Sequence, residues 1–395
     1  MNFDHIAFIV FIALITLFLI SKRKKVAVQK LLFPLFYFVI YRTNIGIKWM
    51  DNVSKKHRNL VQLLGYSCVG FGFVGMIFIS ITILASMIKF FLAPATTDVG
   101  MVLVLPGTTI PGIGYLSFFY FIISILILAV VHEFAHGVVA RAHDLEIKSS
   151  GFAFLAAIVP IIPAAFVEPD EKKLMKREPV VQYSILSAGP ISNVVLALIF
   201  LVLMGFVMTP IENRITEPTG FSFGVSPGLP ADIAGIESNV LIDSFEGVPV
   251  EDSSLFLEKV RYYTSPNETI ILGSKGINYS VITIEHPEDN SRGFLGVTNI
   301  RNEGKVKEKY SKFGGVFFWI QGLFWWLYLL NVSIGLINLL PVYITDGAKM
   351  LYTAIHGSIK NEKKALKIWN FVNLLFVMLI IVGLFATYLK KFGLF

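Results

Sequence analysis

Long apolar runs recur along this chain, and they decide what it can fold into. Each run is close to the roughly 20 residues that a helix needs to cross a bilayer. The runs are residues 6–20, 66–88, 114–131 with a continuation to 140, 183–208, 313–340 and 368–389. Only 15% of the residues are charged, against about 25% in soluble domains, and 35 Phe with 14 Tyr exclude a disordered chain. We therefore predict a polytopic α-helical membrane protein with about six spans.

The charged residues are unevenly distributed, and their positions predict the topology. Residues 209–311 contain 15 acidic and 9 basic residues, whereas the remaining segments contain 12 acidic and 25 basic ones. Basic residues beside apolar runs mark the cytoplasmic side of a membrane protein. We therefore expect segment 209–311 to lie outside the cytoplasm, and the first run to be an uncleaved anchor whose N-terminus is outside. Lys390 and Lys391 conflict with this alternation, so the orientation of the last span stays open.

The positions of the basic residues and the cysteine content argue against nucleic-acid binding and against a disulfide-linked or cysteine-based zinc protein. The basic residues flank apolar runs and do not form a domain of their own, so we expect no nucleic-acid binding. Cys68 is the single cysteine, which excludes an intrachain disulfide and a cysteine-based zinc ribbon.

Together the apolar runs and the charge blocks divide the chain into four predicted parts. Residues 1–60 form an N-terminal anchor helix with a cytoplasmic interfacial segment, and residues 61–208 form a first membrane domain. Residues 209–311 form an extracytoplasmic domain, and residues 312–395 form a C-terminal membrane domain.

Two further apolar pieces are too short or too interrupted to span. We expect residues 31–41 to dip into or lie along the inner leaflet, where Pro34 disfavours a straight helix. Residues 151–167 contain Pro160 and Pro163. Because irregular backbone at membrane depth must be covered by protein or water, this piece is either a re-entrant loop or β-hairpin beside a site, or a loop packed against the inner face.

Segment 209–311 has the pattern of a small α+β domain. Short β-rich runs alternate with turn residues; they are 220–225, 240–245, 269–273, 279–284 and 294–298. A helix is predicted over 253–262 with Ser253 as its N-cap, and a helical turn over 230–236. This order resembles a PDZ domain, a fold that binds extended peptides by adding them to a sheet edge. The predicted fold class is thus a polytopic helical membrane protein with an inserted PDZ-like domain.

The motif HExxH supplies the strongest chemical signal. Residues four apart share one face of a helix, so His132 and His136 can direct two imidazoles at one point, as zinc requires. Glu133 can then reach a water at that metal without being a ligand. Residues 99–131 carry no charge, and a charged residue at the bilayer centre costs about 2.5–3.5 kcal/mol. A metal bound to both imidazoles would offset this cost. The alternative interpretation of the motif, a solvated helix face without a metal, provides no such compensation.

A catalytic zinc needs a third protein ligand. We expect this ligand to be Asp346, which lies at the inner end of run 313–340, on the same membrane face as the HExxH motif. The alternative is an Asp-Gly turn at a helix end. Asn193 could hold a substrate carbonyl or a developing oxyanion, or make a structural hydrogen bond between helices, and Asn338 has the same two alternatives.

Three motifs together resemble the site-2 protease family of intramembrane zinc metalloproteases. They are HExxH, AGPxxN at residues 188–193 and NxxPxxxxDG at residues 338–347. The resemblance covers about residues 116–355, and a PDZ-like insertion between the second and third motifs also occurs in that family. It implies that His132, His136 and Asp346 are zinc ligands and that Glu133 is the catalytic base. Thr345 departs from the Leu that is common before the Asp-Gly pair.

The resemblance also implies a function. We expect hydrolysis of peptide bonds in membrane-spanning protein substrates, which is regulated intramembrane proteolysis, by a multi-pass protein of the cell membrane in contact with membrane lipids. Two alternatives remain: a metal-binding membrane transporter, and a catalytically inert scaffold that acts through its PDZ-like domain. The substrate and the oligomeric state stay open.

Overall fold

The structure of the protein is a computed structural model that describes residues 3–32, 36–93, 100–110, 113–157 and 159–391. The chain divides into two compact units. We call residues 1–204 with 321–395 the membrane unit, and residues 205–320 the inserted unit. These divisions fall near the predicted boundaries at 208/209 and 311/312, while the predicted four-part division stays a prediction.

The described residues contain long helices separated by shorter ones. They are α1 (Phe3–Ser21), α2 (Ile47–Lys56), α3 (Arg58–Leu92), α4 (Phe118–Ala142), α5 (Glu171–Leu174), α6 (Pro179–Leu203), α7 (Thr209–Ile215), α8 (Pro230–Ile233), α9 (Ser254–Tyr262), α10 (Ser311–Leu339), α11 (Asp346–Ser358) and α12 (Glu362–Lys391). Six helical segments are long and apolar enough to cross a membrane: they contain α1, α3, α4, α6, α10 and α12. This confirms the prediction of a polytopic helical membrane protein with six spans.

The strands are short and belong to small sheets. They are β1 (Val26–Leu32), β2 (Phe36–Thr43), β3 (Thr108–Ile110), β4 (Gly114–Leu116), β5 (Ile147–Ala157), β6 (Val159–Pro169), β7 (Thr216–Val225), β8 (Ser244–Phe245), β9 (Val248–Pro249), β10 (Thr269–Ser274), β11 (Ile277–Ile282), β12 (Ile284–His286), β13 (Asp289–Phe294) and β14 (Val297–Val306).

A four-stranded antiparallel sheet in the membrane unit explains both short apolar pieces. Its strand order is β1-β2-β5-β6. Residues 151–157 and 159–167 therefore form the two strands of the predicted β-hairpin, and residues 31–32 and 36–41 belong to β1 and β2. Residues 33–35, which include Pro34, and residue 158 lie outside the described residues. A Cβ on Gly151 would lie 2.1 Å from the Tyr41 carbonyl oxygen. The glycine thus permits the close contact between β2 and β5.

Several ends of the predicted spans differ from the structure, and two of them have an evident cause. Residues 114–116 form strand β4, so the predicted span starting at residue 114 is wrong at its first turn. Ser117 ends the strand and caps α4, because its side chain accepts a hydrogen bond from the Tyr120 amide over 3.3 Å. Helix α3 begins at Arg58, eight residues before the predicted span at 66, since its polar first turns continue the helix beyond the apolar run.

The inserted unit has its own apolar core. Phe256 of α9 is fully buried and stacks on Phe221 and Phe223 of β7, with ring centroids 5.0 and 6.0 Å away. Strand β7 pairs with β14, and β8 to β11 form a four-stranded sheet in the order β11-β10-β8-β9. Strands β7 and β10 contain the predicted runs 220–225 and 269–273, and α9 begins one residue later than predicted. Of the predicted run 240–245 only β8 is a strand, and the predicted run 279–284 is divided between β11 and β12. The likeness to a PDZ domain stays a prediction.

Two further details of the predicted inserted domain are wrong. The predicted strand over 294–298 is interrupted, because β13 ends at Phe294 and Gly296 adopts a left-handed φ of 75° before β14 begins. Ser253 stands at the N-cap of α9, but its hydroxyl donates to Asn302 Oδ1 over 2.8 Å and does not cap the helix.

Candidate metal centre

The two imidazoles of the HExxH motif face one point inside the membrane unit. Helix α4 carries His132 and His136 one turn apart, and both side chains are about nine-tenths buried, with 9% and 11% of their surfaces exposed. Their Nε2 atoms lie 3.0 Å apart. The helical spacing therefore brings the two side chains together, as the motif predicts.

Asp346 completes the cluster from a distant part of the chain. Its Oδ2 lies 3.2 Å from the Nε2 atoms of both His132 and His136. Asp346 is the first residue of α11, and the Thr345 side chain caps this helix by accepting a hydrogen bond from the Ala348 amide. A Cβ on Gly347 would lie 2.0 Å from the Leu339 carbonyl oxygen. Only glycine therefore allows the turn between α10 and α11 to approach so closely.

The three residues form a set that could hold a metal ion. Ligand atoms about 2.0–2.1 Å from a tetrahedral centre are separated by about 3.3 Å, and the three atoms here are 3.0 to 3.2 Å apart. Two imidazoles and one carboxylate are also a donor set that suits catalytic zinc, since they leave a fourth position open. The residues present thus fit the ion on distance and on chemistry.

Both imidazoles are oriented through their second nitrogen. His136 Nδ1 donates to the Ile185 carbonyl oxygen of α6 over 2.6 Å, which leaves Nε2 for a metal. His132 Nδ1 lies 3.2 Å from Asn193 Nδ2, while the buried Asn193 Oδ1 has no partner among the described residues. The hydrogen-bond network decides the orientation of an asparagine amide, and exchanging its oxygen and nitrogen lets His132 Nδ1 donate to Oδ1. Helix α6 thus turns both Nε2 atoms toward Asp346.

Gly189 of the AGPxxN motif leaves the space that the cluster needs. A Cβ at this position would lie 2.3 Å from His136 Nε2 and 2.7 Å from His132 Nε2. Glycine costs about 1 kcal/mol relative to alanine inside a helix, so its use in α6 indicates a steric requirement. Any side chain here would occupy the place where a metal would bind.

Glu133 lies beside the cluster and contacts the sheet. Its Oε2 accepts a hydrogen bond from the Val167 amide of β6 over 2.8 Å. Glu133, His136 and Asp346 line one cavity of about 810 Å³, whose wall also includes β6. The predicted base therefore faces the same space as two of the predicted ligands.

The wall of this cavity carries a second carboxylate. The Ser149 hydroxyl donates to Glu168 Oε2 over 2.6 Å, and Arg42 Nε lies 3.5 Å from the same oxygen. The Ser149 hydrogen bond first, and then the Arg42 guanidinium, hold the pKa of Glu168 below its ordinary value. The side chain is therefore ionised at neutral pH.

The two asparagines that were predicted to bind substrate or an oxyanion, or to bond between helices, lie in different surroundings. Asn193 contacts His132, which is a hydrogen bond between helices, and its role toward substrate stays a prediction. Asn338 lies half-buried near the end of α10, and none of the hydrogen bonds described around the cluster involves it. The sequence does not predict that the Val167 amide and the Ile185 carbonyl contact the site, because backbone groups have no residue signature. Gly189 could have been identified, because glycine inside a helix is energetically unfavourable and therefore suggests a steric requirement.

Comparisons with known proteins agree with this geometry. A model of peptidase family M50 matches residues 120–380, more than half of the chain. An uncharacterised protein of Methanocaldococcus jannaschii is 28% identical over 320 residues, which cover 78% of this chain and 75% of that protein. The matched region contains Glu133 and all three residues of the cluster. The chain therefore belongs to peptidase family M50, the site-2 protease family.

Proposed function

We propose that this protein is an intramembrane zinc metalloendopeptidase that hydrolyses peptide bonds of membrane-spanning proteins. One observation carries the proposal: His132, His136 and Asp346 converge within a membrane-spanning unit while Glu133 faces the same cavity. Family membership supports the same reaction, because M50 peptidases are zinc-dependent proteases.

His132, His136 and Asp346 would hold the ion. When bound, zinc supplies a Lewis acid that polarises a carbonyl group and makes water a stronger acid. The three side chains come from α4 and α11, and α6 fixes the orientation of both imidazoles. The protein thus supplies a prearranged ligand set and a covered site at membrane depth.

Glu133 acts as the general base. Its Oε2 accepts the Val167 amide hydrogen bond, and we assign the proton transfer to Oε1. The carboxylate takes a proton from the attacking water as the new C–O bond forms, and it then delivers this proton to the amide nitrogen of the leaving chain, which lets the peptide C–N bond break. The Val167 contact holds Glu133 toward the cavity during both transfers.

Strand β6 is suited to hold the substrate in extended form. It is an edge strand of the sheet, and Ala165 and Val167 line the cavity. Because the Val167 amide points away from β5 toward Glu133, the Ala165 amide two residues earlier points to the same open edge. A substrate helix must unwind before its carbonyl groups are accessible, and pairing with this edge would stabilise the unwound segment.

The inserted unit would act on substrates before cleavage. We assign it a PDZ-like role outside the cytoplasm, in which it selects substrates by a chain end or excludes those with large ectodomains. The acidic composition of residues 209–311 and the basic loops elsewhere support this orientation in a cell membrane.

The substitution Glu133→Gln tests the reaction. We expect zinc to remain bound at wild-type stoichiometry while cleavage of a membrane-spanning reporter falls at least about 1000-fold. Glu171→Gln is the matched control, since Glu171 lines the same cavity but lies in α5, and its cleavage rate should stay within about twofold of the wild-type rate.

The outcomes separate the alternatives. Cleavage that persists in Glu133→Gln would remove Glu133 from its role. Zinc transport by the wild-type protein without cleavage would favour a metal-binding membrane transporter. Reporter binding with neither activity would favour a scaffold that acts through the inserted unit.

A further inference from the structure

A basic cavity lies next to the catalytic one and is not needed for the reaction. It has a volume of about 670 Å³. We call it the basic hollow and define it by Lys24, Lys25, Arg42, Thr43, Asn44 and Ile45. It combines three cationic side chains with backbone and hydroxyl groups in one concave surface.

The end of helix α1 indicates where the basic hollow lies relative to the membrane. This helix ends at Ser21, and residues 22–25 are all basic. A run of Lys and Arg directly after a spanning helix lies at the depth of lipid headgroups and attracts anionic lipids. Among the described residues, Lys24 and Lys25 have no carboxylate within ion-pair distance, which leaves their charge for a ligand.

The wall of the basic hollow is fixed by hydrogen bonds. The Thr43 hydroxyl donates to the Ser150 carbonyl oxygen over 3.1 Å and accepts from the Ile45 amide over 3.2 Å. The Ser150 hydroxyl in turn donates to the Ile45 carbonyl oxygen over 2.7 Å. These bonds hold the turn after β2 on the end of β5, so the site is formed before a ligand binds.

Apolar side chains share the wall of the basic hollow with the cationic ones. Val26, Ala27 and Ile45 line it, and Ile45 is 67% exposed. A free phosphate would gain nothing from this apolar rim. A phospholipid would place its phosphate among the basic residues and its acyl chains against the rim.

We propose that the basic hollow binds the phosphate headgroup of an anionic phospholipid, and that Arg42 links this lipid to the catalytic cavity. Arg42 lines both cavities. Its described ion pair to Glu168 uses Nε alone at 3.5 Å, so the two terminal nitrogens of the guanidinium can face a headgroup. Both anions can then contact Arg42 at once, but they share its single positive charge and repel each other, so each weakens the binding of the other. Glu168 is one residue from Val167, whose amide contacts Glu133.

Native mass spectrometry of the full-length protein, titrated with phosphatidylglycerol or phosphatidylcholine, tests the proposal. We expect phosphatidylglycerol to bind in preference, and millimolar inorganic phosphate to leave it bound. The double variant Lys24→Gln/Lys25→Gln should weaken phosphatidylglycerol binding about 30-fold, the factor expected for two basic residues that each contribute about 1 kcal/mol at an anionic headgroup. Lys22→Gln/Arg23→Gln is the matched control, since it removes the same charge outside the basic hollow. It should weaken binding less than about threefold, because exposed charges that do not contact the bound headgroup are screened by salt.

Glu168→Gln tests the link through Arg42. Removal of the competing charge should tighten phosphatidylglycerol binding about threefold. An equal loss of phosphatidylglycerol affinity in the two double variants would show that the lipid is attracted unspecifically to the basic run, which would overturn the proposal. Displacement of the lipid by phosphate, or binding that is unchanged in Glu168→Gln, would also overturn it. None of these readouts depends on cleavage, so the result stands apart from the proposed proteolysis.

Discussion

The membrane unit and the inserted unit both bury apolar side chains, but among the described residues only the membrane unit also buries ionisable ones. The inserted unit is organised around aromatic rings, with Phe221, Phe223 and Phe256 almost fully buried. The membrane unit exposes apolar side chains on its spanning helices and buries His132 and Asn193 between them. In the inserted unit the hydrophobic effect drives the core together, whereas in the membrane unit the interior is where polar groups are sheltered from lipid.

The two units also differ in how their buried polar atoms are satisfied. In the inserted unit the buried Ser222 hydroxyl donates to Glu303, and the buried Thr283 hydroxyl donates to the Ser265 carbonyl oxygen. Five of the six buried side-chain polar atoms without a partner among the described residues belong to the membrane unit; they are Thr16 Oγ1, Ser124 Oγ, Asn193 Oδ1, Asn331 Oδ1 and Asn373 Oδ1. Among the described residues, buried polar atoms without a partner are therefore concentrated in the membrane unit, and one of them belongs to Asn193, which contacts His132 of the cluster.

The largest effect is expected from Gly189→Ala in the membrane unit. The added Cβ would lie 2.3 Å from His136 Nε2, so zinc content and cleavage should both fall to background. Gly70→Ala in α3 is the matched control, because a Cβ there meets no atom within 4 Å. Metal analysis and reporter cleavage of the two purified variants provide the test. A Gly189→Ala protein that keeps a full zinc site would contradict the proposed position of the ion.

Phe256→Ala should destabilise the inserted unit by about 3–5 kcal/mol, because it removes the ring that stacks on Phe221 and Phe223. Zinc content of the membrane unit should not change. Hydrogen exchange of the full-length protein measures both units at once, and Leu257→Ala, an exposed neighbour in α9, is the control. Loss of zinc in Phe256→Ala would show that the two units do not bury their cores independently.

Asn193→Ala should weaken zinc binding about 10- to 100-fold, the usual cost of removing a partner of a ligating histidine. Asn193→Asp retains an acceptor for His132 Nδ1 and should recover most of the affinity. Competition with a chelator measures both variants. Unchanged zinc affinity combined with lost cleavage would instead assign Asn193 to substrate or oxyanion binding.

The smallest effect is expected at Glu268 in the inserted unit. The Lys259 ammonium first, and then the Ser265 amide, hold the pKa of Glu268 below its ordinary value. Its ionised form therefore adds stability at neutral pH, which is lost as the pH falls through the lowered value. Glu268→Gln should lower the free energy of unfolding by less than about 1 kcal/mol at pH 7, with a smaller difference in acid. Hydrogen exchange of β10 measures it, with exposed Glu258→Gln as the control; a difference that grows in acid would contradict the assignment.

Much of the membrane unit follows from the sequence, because span length and composition have a direct physical cause. The six apolar runs correspond to the six candidate spans, and the shared membrane face of HExxH and Asp346 is what brings the ligands together. Span ends are less predictable, since a helix such as α3 continues into polar residues at Arg58.

Pairing between distant segments is what the sequence does not reveal. Strand β2 pairs with β5, which joins Tyr41 to Phe152, and no local pattern records such a contact. The bond from Val167 to Glu133 depends on this sheet, so a backbone group that positions the predicted base could not be found in advance. Thr345, noted only as a departure from the family pattern, proves to cap α11 beside Asp346.

The central claim is that His132, His136 and Asp346 bind one zinc ion together. X-ray absorption at the zinc edge, combined with metal analysis of the purified full-length protein, tests it most directly. We predict one zinc per chain with imidazole and carboxylate ligands at about 2.0–2.2 Å, and no bound zinc after Asp346→Ala. A protein without stoichiometric zinc, or an Asp346→Ala variant with an unchanged spectrum, would contradict the claim.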